Sequence, residues 1–489
     1  MKLSRMCASL GVLPTGPGDP EITGLACDSR QVEPGHLFAA LPGARADGLN
    51  FLPQALERGA AALLTEKPPE GVPVPVVTVP DARRALSLLA ADFWGRPAEK
   101  LVLVGITGTK GKTTTAHILK AILEAAGHRT AMVGTLGGFV GGEQVLEPGN
   151  TTPEPVTLHR FFARAVEARC THLVMEVSSQ ALKQGRVYGV DFDLALFLNL
   201  SPDHIGGAEH ADFAEYLACK ALLFRQCEAA LANADDPRWR EVLAGCAAPV
   251  TTFGFSPGAD VRGGAVRPEN REGRLGCSFP VSGCDTPLWA ALPGPFNAAD
   301  ALAALAAARI LGIPEEAVRE GLRTVRVPGR AEVLPLPNGA SAVIDYAHNG
   351  ASFESILSTL ADYDHGKLTV VFGAGGNRPK MRRRDMAEAA ARYADFIVIT
   401  ADNPRWENVE DICADIAQAL DGRAPYTVIP DRAEAIRYAL DGAGPGDLVV
   451  LLGKGHEMYL EVRGERLPFS DRAVVEAWNS NNRGSGHNG

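Results

Sequence analysis

The sequence predicts an α/β protein with three domains. At 489 residues the chain is too long for one ordinary hydrophobic core. A strand, a glycine-rich loop and a helix follow one another at residues 101–116, and strands alternate regularly with helices after residue 340. We therefore expect a small N-terminal α/β domain, a central domain like the P-loop ATPases, and a C-terminal Rossmann-like domain.

The phosphate-loop segment and a Pro-Gly-Arg turn mark the domain boundaries. We predict an N-terminal domain at residues 1–98, a central domain at 99–327 and a C-terminal domain at 328–479. Pro328-Gly329-Arg330 forms the predicted hinge into the last domain. Residues 480–489 are polar and rich in Gly and Asn, so we expect a disordered tail.

Composition also narrows the class of protein. Hydrophobic residues make up 46% of the chain and charged residues 22%, as in soluble globular proteins. The net charge of −10 argues against general nucleic-acid binding. Nine scattered cysteines form no CxxC pair, and neither a signal peptide nor an 18-residue apolar run is present. We expect a monomeric cytoplasmic enzyme without a nucleic-acid partner or a membrane-inserted segment.

The N-terminal domain reads as alternating short elements. Two strands are expected within residues 23–41, then a helix at 51–62, strands at 62–65 and 76–79, and a helix at 82–93. Asp28-Ser29-Arg30 lies in the first turn of this region. Taken alone, that tripeptide is typical of a solvated turn.

The central domain begins with a phosphate-binding pattern. The apolar strand 101–106 runs into TGTKGKT at Thr107 to Thr113, and a helical pattern follows. Gly108 and Gly111 permit a loop whose N–H groups face an anion at a helix N-terminus. Lys112 would reach the β- and γ-phosphates, and Thr113 would bind Mg²⁺. The strict P-loop pattern has glycine where Ile106 stands, and a tight strand-to-helix connection is the alternative; we interpret the loop as an ATP site.

Polar side chains follow two other predicted strands of this domain. Glu176 ends the strand at 172–177, and Asp203-His204 follows the strand at 194–200. Ligands of open α/β sheets bind at such strand ends, although ordinary polar termini are the alternative. Lys220 lies in a helix predicted at 213–223 with Phe213, Leu217 and Leu223 on its apolar face, and a solvated lysine is the default interpretation.

The remaining elements complete the prediction. Residues 255–290 indicate β-structure at a sheet edge, and residues 298–311 a helix. In the C-terminal domain we expect strands at 342–346, 368–372, 396–400, 426–429 and 448–452, with helices near 353–360, 383–393, 409–420 and 432–440. Four of these strand ends carry polar residues, which predicts a binding site in a doubly wound sheet.

These motifs together resemble the Mur ligases. They are the phosphate loop, Asn-Thr-Thr-Pro, Glu-Val-Ser-Ser, Asp-His, the helix lysine and Gly-Lys-Gly-His-Glu, and they occur in the family's order across residues 20–478. The chain is most similar to the members that add the third residue of the peptidoglycan stem peptide. The resemblance implies an ATP-dependent amide ligase of peptidoglycan precursor synthesis, and hence of cell-wall formation.

The resemblance also implies site residues. Catalysis is assigned to Lys112, Lys220, His204 and Glu176. Mg²⁺ is assigned to Thr113, Glu176, His204 and Lys220, the last as a carbamate that turns a cation into an anion. ATP is assigned to Thr107, Gly108, Thr109, Lys110, Gly111, Lys112, Thr113, Asn297 and Arg330. The UDP-linked substrate is assigned to Cys27, Ser29, Ala44, Arg45, Ala46, Asn150, Thr151, Thr152, Ser178, Gln184 and Arg186.

The added amino acid is assigned to Arg378, Asp402, Asn403, Pro404, Arg405, Gly453 and Glu457. Members that add meso-diaminopimelate carry the arginine of DNPR, because a guanidinium can grip the distal carboxylate that lysine lacks. Arg405 and Arg378 therefore favour diaminopimelate, with Glu457 holding the distal ammonium group. Lysine addition and a folylpolyglutamate-synthase-like ligase are the alternatives, and a nucleotide-dependent switch without ligation is a third.

Three motifs depart from the family pattern. Ser-Ser-Gln ending at Gln180 replaces Ser-Ser-His, DHIGGAEH is longer than the usual Asp-His loop, and Ala-His-Asn-Gly stands at Ala347 to Gly350. These departures concern the metal ligands and one ATP loop. The phosphate, sugar-peptide and amino-acid motifs are intact, so the expected reaction is unchanged.

Overall fold

The computed structural model describes residues 1–43, 46–202, 205–206, 209–271 and 273–482. The chain divides into two compact units. The first comprises Met1–Arg262 with Leu302–Gly321, and the second comprises Gly263–Ala301 with Leu322–Gly489. Residues 263–301, which the sequence assigned to the predicted 99–327 domain, group with the second unit.

A four-stranded parallel sheet opens the first unit. Its strands run in the order β1 (Gly24–Ala26), β2 (His36–Ala39), β3 (Ala62–Thr65) and β4 (Val76–Thr78). The helices of this region are α1 (Leu3–Met6), α2 (Leu52–Glu57) and α3 (Ala82–Phe93). Single 3₁₀ turns occur at Cys7–Leu10, Ser29–Gln31, Gly48–Phe51 and Pro97–Lys100.

A nine-stranded sheet forms the rest of the first unit. Its strands are β5 (Val102–Thr107), β6 (Thr130–Gly134), β7 (Gly137–Val140), β8 (Glu143–Leu146), β9 (His172–Glu176), β10 (Phe192–Phe197), β11 (Cys227–Asn233), β12 (Val250–Gly254) and β13 (Val261–Arg262). Their order is β13-β12-β11-β10-β5-β9-β6-β7-β8. The pairs β6–β7 and β7–β8 are antiparallel, and the other pairs are parallel. β5 therefore lies at the centre, between β9 and β10.

Helices connect the parallel strands of this sheet. They are α4 (Lys112–Ala125), α5 (Pro155–Glu167), α6 (Ser179–Lys183), α7 (Phe213–Ala221) and α8 (Trp239–Val242), with a 3₁₀ turn at Leu222–Arg225. Phe161, Phe162, Phe192 and Phe197 belong to the apolar core between helices and sheet. The core holds the strand ends that carry the predicted phosphate and metal residues.

The second unit contains a small antiparallel sheet and a larger mixed one. The small sheet has the order β14 (Arg267–Arg271), β15 (Arg274–Phe279) and β16 (Leu288–Ala290). The two helices α9 (Pro295–Ile310) and α10 (Glu315–Thr324) each include residues of both units.

The larger sheet has six strands. They are β17 (Glu332–Pro335), β18 (Ser341–Asp345), β19 (Leu368–Phe372), β20 (Phe396–Ile399), β21 (Tyr426–Val428) and β22 (Leu448–Leu452), in the order β17-β18-β22-β19-β20-β21. Only the edge pair β17–β18 is antiparallel. The predicted alternation and doubly wound sheet are confirmed, with strand bounds that agree with the prediction to within one residue.

Helices cover this sheet, and a hairpin follows its last strand. The helices are α11 (Gly350–Ala361), α12 (Met381–Tyr393), α13 (Val409–Leu420), α14 (Arg432–Asp441) and α15 (Asp471–Asn482), and the hairpin pairs β23 (Tyr459–Val462) with β24 (Glu465–Pro468). Residues 480–482, predicted as disordered, are the last turn of α15. Residues 483–489 lie outside the described residues.

Two further predictions on the central elements were wrong. The strand expected at 194–200 is β10, which ends at Phe197. In α7 the buried side chains are Tyr216, Cys219 and Lys220, whereas Phe213 and Leu217 are only partly buried. Lys220 is therefore not a solvated lysine. Within the described ranges, no helix is long and apolar enough to cross a membrane.

Candidate active site

The predicted phosphate loop joins β5 to α4 at the centre of the nine-stranded sheet. Gly111 precedes the helix with φ of +85°, a left-handed conformation that glycine adopts without steric cost. Asn199, after β10, fixes the loop from the side: its Oδ1 accepts from the Lys110 N–H at 2.8 Å, and its Nδ2 donates to the Lys110 carbonyl at 3.1 Å. The loop thus has the form of an anion-binding helix N-terminus.

Two lysine ammonium groups converge on one carbonyl of this loop. Lys112 Nζ donates to the Gly108 carbonyl at 2.8 Å and to the Thr109 carbonyl at 3.2 Å. Lys220 Nζ, from α7, donates to the same Gly108 carbonyl at 2.9 Å. The sequence prediction placed both lysines at one centre, and the structure brings them together there.

Lys220 is held by groups that the sequence did not single out. It is 1% exposed, and its ammonium lies 4.6 Å from the centroid of the Tyr216 ring. The Tyr216 hydroxyl is 3.0 Å from Thr109 Oγ1, which also accepts from the Ser201 N–H at 3.0 Å. α7 is therefore tied to the phosphate loop through both side chains.

Glu176 links the end of β9 to the phosphate loop and to the loop after β6. Its Oε2 accepts from Thr113 Oγ1 at 3.0 Å and from Thr135 Oγ1 at 3.1 Å, while its Oε1 accepts from the Thr135 N–H at 2.9 Å. The side chain is 2% exposed. A Cβ on Gly134 would lie 2.1 Å from Oε1, so glycine is required beside this carboxylate.

The predicted Mg²⁺ ligands are only partly brought together by the described residues. Thr113 and Glu176 are adjacent and offer hydroxyl and carboxylate oxygens, which are the ligands that Mg²⁺ prefers. Asp203 and His204 lie outside the described residues. In the part of the chain that is described, no three His, Cys, Asp or Glu side chains form a metal-binding group. This oxygen donor set fits Mg²⁺.

The residues predicted to bind the UDP-linked substrate form a connected network in the first unit. Arg186 donates to the Thr152 carbonyl at 2.7 Å and to Gln184 Oε1 at 2.7 Å, and it pairs with Glu154 at 2.8 Å. Burial lowers the pKa of Arg186. Thr152 Oγ1 accepts from the Ser178 N–H at 3.0 Å, and Ser178 Oγ accepts from the Ala181 N–H at the start of α6.

The other predicted residues of this group are less connected. Thr151 Oγ1 is 3.1 Å from Thr135 Oγ1, and Asn150 is exposed. Burial, and to a lesser extent the charge of nearby Glu154, raise the pKa of the Cys27 thiol to about 11. Ser29 Oγ donates to Gln54 Oε1 at 2.6 Å.

Two points concern the N-terminal loops. The Asp28 side chain accepts from the Arg30 N–H and pairs with its guanidinium at 2.7 Å, so these two residues form a local turn. Ala46 is exposed, whereas Ala44 and Arg45 lie outside the described residues.

A polar cavity of about 210 Å³ opens at the strand ends of the six-stranded sheet. Six of the seven residues predicted to bind the amino acid line it, namely Arg378, Asp402, Asn403, Arg405, Gly453 and Glu457, and Pro404 does not. Tyr346, His348 and Arg382 line it as well.

A buried lysine orders one wall of this cavity. Lys454 is 0% exposed and donates to Asn403 Oδ1 at 2.9 Å and to Glu457 Oε2 at 2.7 Å. Asn403 Oδ1 also accepts from the Glu461 N–H at 2.8 Å, and Asn403 Nδ2 donates to Glu457 Oε2 at 2.8 Å. This pattern determines which amide atom faces which partner. Among the described residues, the one hydrogen bond to Glu457 Oε1 comes from the Tyr346 hydroxyl at 3.4 Å.

Arg405 is held rigidly by its backbone. Its φ of 54° lies in the left-handed region, which costs a non-glycine residue about 1 kcal/mol or more. The Arg405 N–H donates to the Glu461 carbonyl at 2.9 Å, and its carbonyl accepts from Arg463 N–H at 2.6 Å. Its Nη1 donates to the Gly376 carbonyl at 2.8 Å. These contacts direct the DNPR arginine to the cavity.

The two remaining predicted ATP contacts belong to the second unit. Asn297 is 1% exposed and donates to the Pro293 carbonyl at 2.7 Å. Arg330 stacks over the Tyr346 ring at 4.9 Å, and its Nε is buried without a hydrogen-bond partner among the described residues. Burial raises the pKa of neighbouring Asp345 although Arg330 opposes the shift. Contact of Asn297 or Arg330 with nucleotide remains a prediction.

Sequence reasoning missed four residues of these sites: Thr135, Tyr216, Arg382 and Lys454. Lys454 stands inside Gly-Lys-Gly-His-Glu, so the motif itself was a signal. Thr135, Tyr216 and Arg382 stand outside the motifs and reach their sites only through the fold.

The whole chain is similar to known proteins of one family. Three family models match in order: the catalytic domain of the Mur ligase family at residues 21–94, the Mur ligase middle domain at 106–308, and the Mur ligase glutamate ligase domain at 329–455. The UDP-N-acetylmuramoyl-L-alanyl-D-glutamate–2,6-diaminopimelate ligase of Geobacillus thermodenitrificans is 40% identical over 471 residues, which are 94% of this chain and 95% of that protein.

Solved structures share the fold. A UDP-N-acetylmuramoyl-L-alanyl-D-glutamate–2,6-diaminopimelate ligase is 28% identical with a TM-score of 0.73 over 99% of this chain and 100% of that one. MurF ligase from Thermotoga maritima, solved in complex with ADP, is 20% identical with a TM-score of 0.60 over 88% and 94% of the two chains. The phosphate loop, the Glu176 strand end and the arginine-lined cavity therefore stand in a chain that belongs to the Mur ligase family.

Proposed function

We propose that this chain is an ATP-dependent ligase that adds meso-2,6-diaminopimelate to UDP-N-acetylmuramoyl-L-alanyl-D-glutamate, in the cytoplasmic synthesis of peptidoglycan precursors. The observation that carries the proposal is the second-unit cavity, where arginines face Glu457 in a family member that also holds a phosphate loop. The diaminopimelate ligase that is 40% identical to this chain supports the choice of substrates. As part of the same proposal, the enzyme is a monomer.

The reaction has two steps. A carboxylate resists attack by an amine, so the γ-phosphate of ATP first passes to the D-glutamyl carboxylate and forms an acyl phosphate with release of ADP. The amine of diaminopimelate then attacks the acyl carbon, phosphate leaves, and the amine proton passes to solvent. The protein's task is to position these groups and to neutralise charge.

The first unit supplies the phosphate chemistry. Lys112 is within reach of the loop that would cradle the phosphates, and it moves from the Gly108 carbonyl to phosphate oxygens when ATP binds. Lys110 and the loop N–H groups bind the remaining phosphate oxygens. Asn297 and Arg330 are assigned to the nucleotide on the family resemblance.

Thr113, Glu176, His204 and a carbamylated Lys220 would hold Mg²⁺, which supplies positive charge to the phosphate oxygens. Carbamylation joins CO₂ to the neutral Lys220 amine with loss of one proton and gives an anion, and Lys220 is buried with its Nζ 2.9 Å from the Gly108 carbonyl of the phosphate loop. Thr135 orients Glu176 from the opposite side.

The UDP-linked substrate is assigned to the network around Arg186. Thr152, Ser178 and Gln184 are joined to it, and Cys27, Ser29 and Asn150 to Thr151 extend the predicted surface. The loop of Ala44 to Ala46 completes the assignment.

The amino acid is assigned to the second-unit cavity. Arg405 and Arg378 bind the distal carboxylate, and Glu457 Oε1 accepts from the distal ammonium group. Lysine lacks the distal carboxylate and would leave Arg378 and Arg405 without that ligand group. Addition of L-lysine is the second candidate reaction, and a ligase that extends folate with glutamate is less well supported because the UDP-substrate motifs have no role in it.

The test is ATP-dependent phosphate release with the UDP-linked dipeptide and either meso-diaminopimelate or L-lysine. We expect release with diaminopimelate and at least a 100-fold lower kcat/KM with lysine, because a site that binds a charged group rejects an analogue without it. Arg405→Ala should lose most of this preference. Equal activity with lysine would contradict the substrate assignment, and release without any amino acid would contradict ligation.

A further inference from the structure

We propose that Arg382 binds the carboxylate at the reacting centre of the added amino acid. This inference rests on the proposed function and adds a residue that neither the sequence motifs nor the family resemblance assigned. Arg382 lies in the first turn of α12 and lines the same cavity as Arg378 and Arg405.

Arg382 is the first of three consecutive arginines with different surroundings. Arg383 is buried and pairs with Glu407 and Asp415, each at 2.6 Å. Arg384 is exposed and pairs with Glu388 at 2.8 Å. Among the described residues, the guanidinium of neither Arg382 nor Arg378 makes a hydrogen bond or an ion pair. Two guanidiniums that line one cavity without a directly paired carboxylate suit an anionic ligand.

The cavity's charges match the expected ligand. Three guanidiniums (Arg378, Arg382, Arg405) and two carboxylates (Asp402, Glu457) line it, which leaves a net charge of one positive unit before His348 is considered. Diaminopimelate with its attacking amine deprotonated has two carboxylates and one ammonium group, a net charge of one negative unit. One guanidinium beyond those assigned to the distal carboxylate is available for the second carboxylate.

The position of Arg382 favours the reacting end. The pKa of Arg382 is lowered, mainly by burial and next by the positive charges of Arg378 and Arg405. Tyr346 and Asp402 raise the pKa of Arg382 and so oppose this shift. Tyr346 carries Arg330 stacked on its ring, and Arg330 is assigned to ATP. Arg405, in contrast, is anchored at the Gly376 carbonyl and at the β23 backbone. Arg382 and Tyr346 line the same cavity, and we assign the reacting end of the amino acid to them because Arg330, stacked on the Tyr346 ring, is assigned to ATP.

The test compares Arg382→Ala with Arg405→Ala, and uses Arg384→Ala as the matched control on the same helix. Both diaminopimelate and L-lysine carry the carboxylate of the reacting centre. Arg382→Ala should therefore raise the KM for both amino acids by the same factor, about 10- to 150-fold, which corresponds to loss of a charged hydrogen-bonded contact. The KM for ATP should not change, and Arg382→Lys should recover part of the loss.

The outcomes separate this inference from the proposed function. If Arg382→Ala leaves the KM for both amino acids unchanged and turns over normally, the inference is overturned and the proposed function is upheld. A loss confined to diaminopimelate, as expected for Arg405→Ala, would place Arg382 at the distal carboxylate and overturn the assignment. If Arg382→Ala and Arg384→Ala have the same Tm, the change in KM is not caused by a folding defect. No amino-acid-dependent phosphate release by the unmodified enzyme would overturn both proposals.

Discussion

Removal of only one partner of the buried pair Arg432–Asp471 should strongly destabilise the second unit. Both side chains are fully buried, with Arg432 Nε and Nη2 each 2.7 Å from one carboxylate oxygen. Arg432 also donates to the carbonyls of Ala401 and Leu452, each at 3.0 Å. These two carbonyls stand directly before Asp402 and Gly453, so one guanidinium ties together the strand ends that line the cavity.

The loss in free energy of unfolding depends on which buried charged groups remain after the substitution. Arg432→Met leaves a carboxylate and two carbonyls buried without this partner, and breaking a buried ion pair in this way typically costs about 3–5 kcal/mol. For a unit of this size that corresponds to a fall in Tm of roughly 6–20 °C. The double variant Arg432→Met/Asp471→Leu removes both charges, so it should lose much less than the sum of the two single variants.

Scanning calorimetry of the full chain and the KM for diaminopimelate provide the two measurements. Single variants that still fold should also show a raised KM for diaminopimelate, because the DNPR and Gly-Lys-Gly-His-Glu loops lose their common anchor. Arg437→Ala is a suitable control, since Arg437 lies on α14 with Arg432 and is exposed. Additive losses of Tm in the double variant would refute the argument from paired burial.

Two other predictions concern the first unit. Lys112→Ala should lower kcat about 10²- to 10³-fold, as removal of one charge-stabilising group does. Lys120, on the same helix, pairs with Glu124 at 2.8 Å, and Lys120→Ala should leave kcat unchanged. Equal rates in both variants would remove Lys112 from the mechanism. Burial lowers the pKa of His159 to about 4, whereas histidine in the unfolded chain has a pKa near 6.5. The unfolded state therefore binds the proton more readily. The free energy of unfolding should fall by up to about 3 kcal/mol as the pH drops from 6.5 to 4. His159→Leu should flatten this part of the stability curve, measured as Tm against pH, and an unchanged curve would show that another group titrates there.

Much of the fold was predictable because its signals are local. The strand of 102–107, the Gly111 turn and α4 follow from apolar runs, glycine positions and helical spacing within 25 residues. The five parallel strands of the second unit and the helices between them follow from the same local alternation. The errors were also local: β10 ends earlier than its apolar run, and Asn199 beyond it contacts the phosphate loop through both its carbonyl and its side chain.

The candidate sites were predictable where a motif carried them. Glu176, Arg405 and Glu457 were selected because acidic and basic residues follow strands, and each lies among polar partners in the structure. Lys220 alone in a helix had a solvated lysine as its default interpretation. Its burial against the Gly108 carbonyl depends on a contact across 112 residues of chain, which no local pattern records.

Residues 382–384 show the division between sequence and structure most clearly. The sequence by itself determined the order of strands and helices, the phosphate loop and the family, because these depend on local spacing and on motifs. It presented three identical arginines in a row, at the start of one predicted helix. Only the tertiary structure decided that the first lines a cavity, the second is buried between Glu407 and Asp415, and the third faces solvent. Successive helical residues point about 100° apart, so what each one meets is set by the elements packed around the helix.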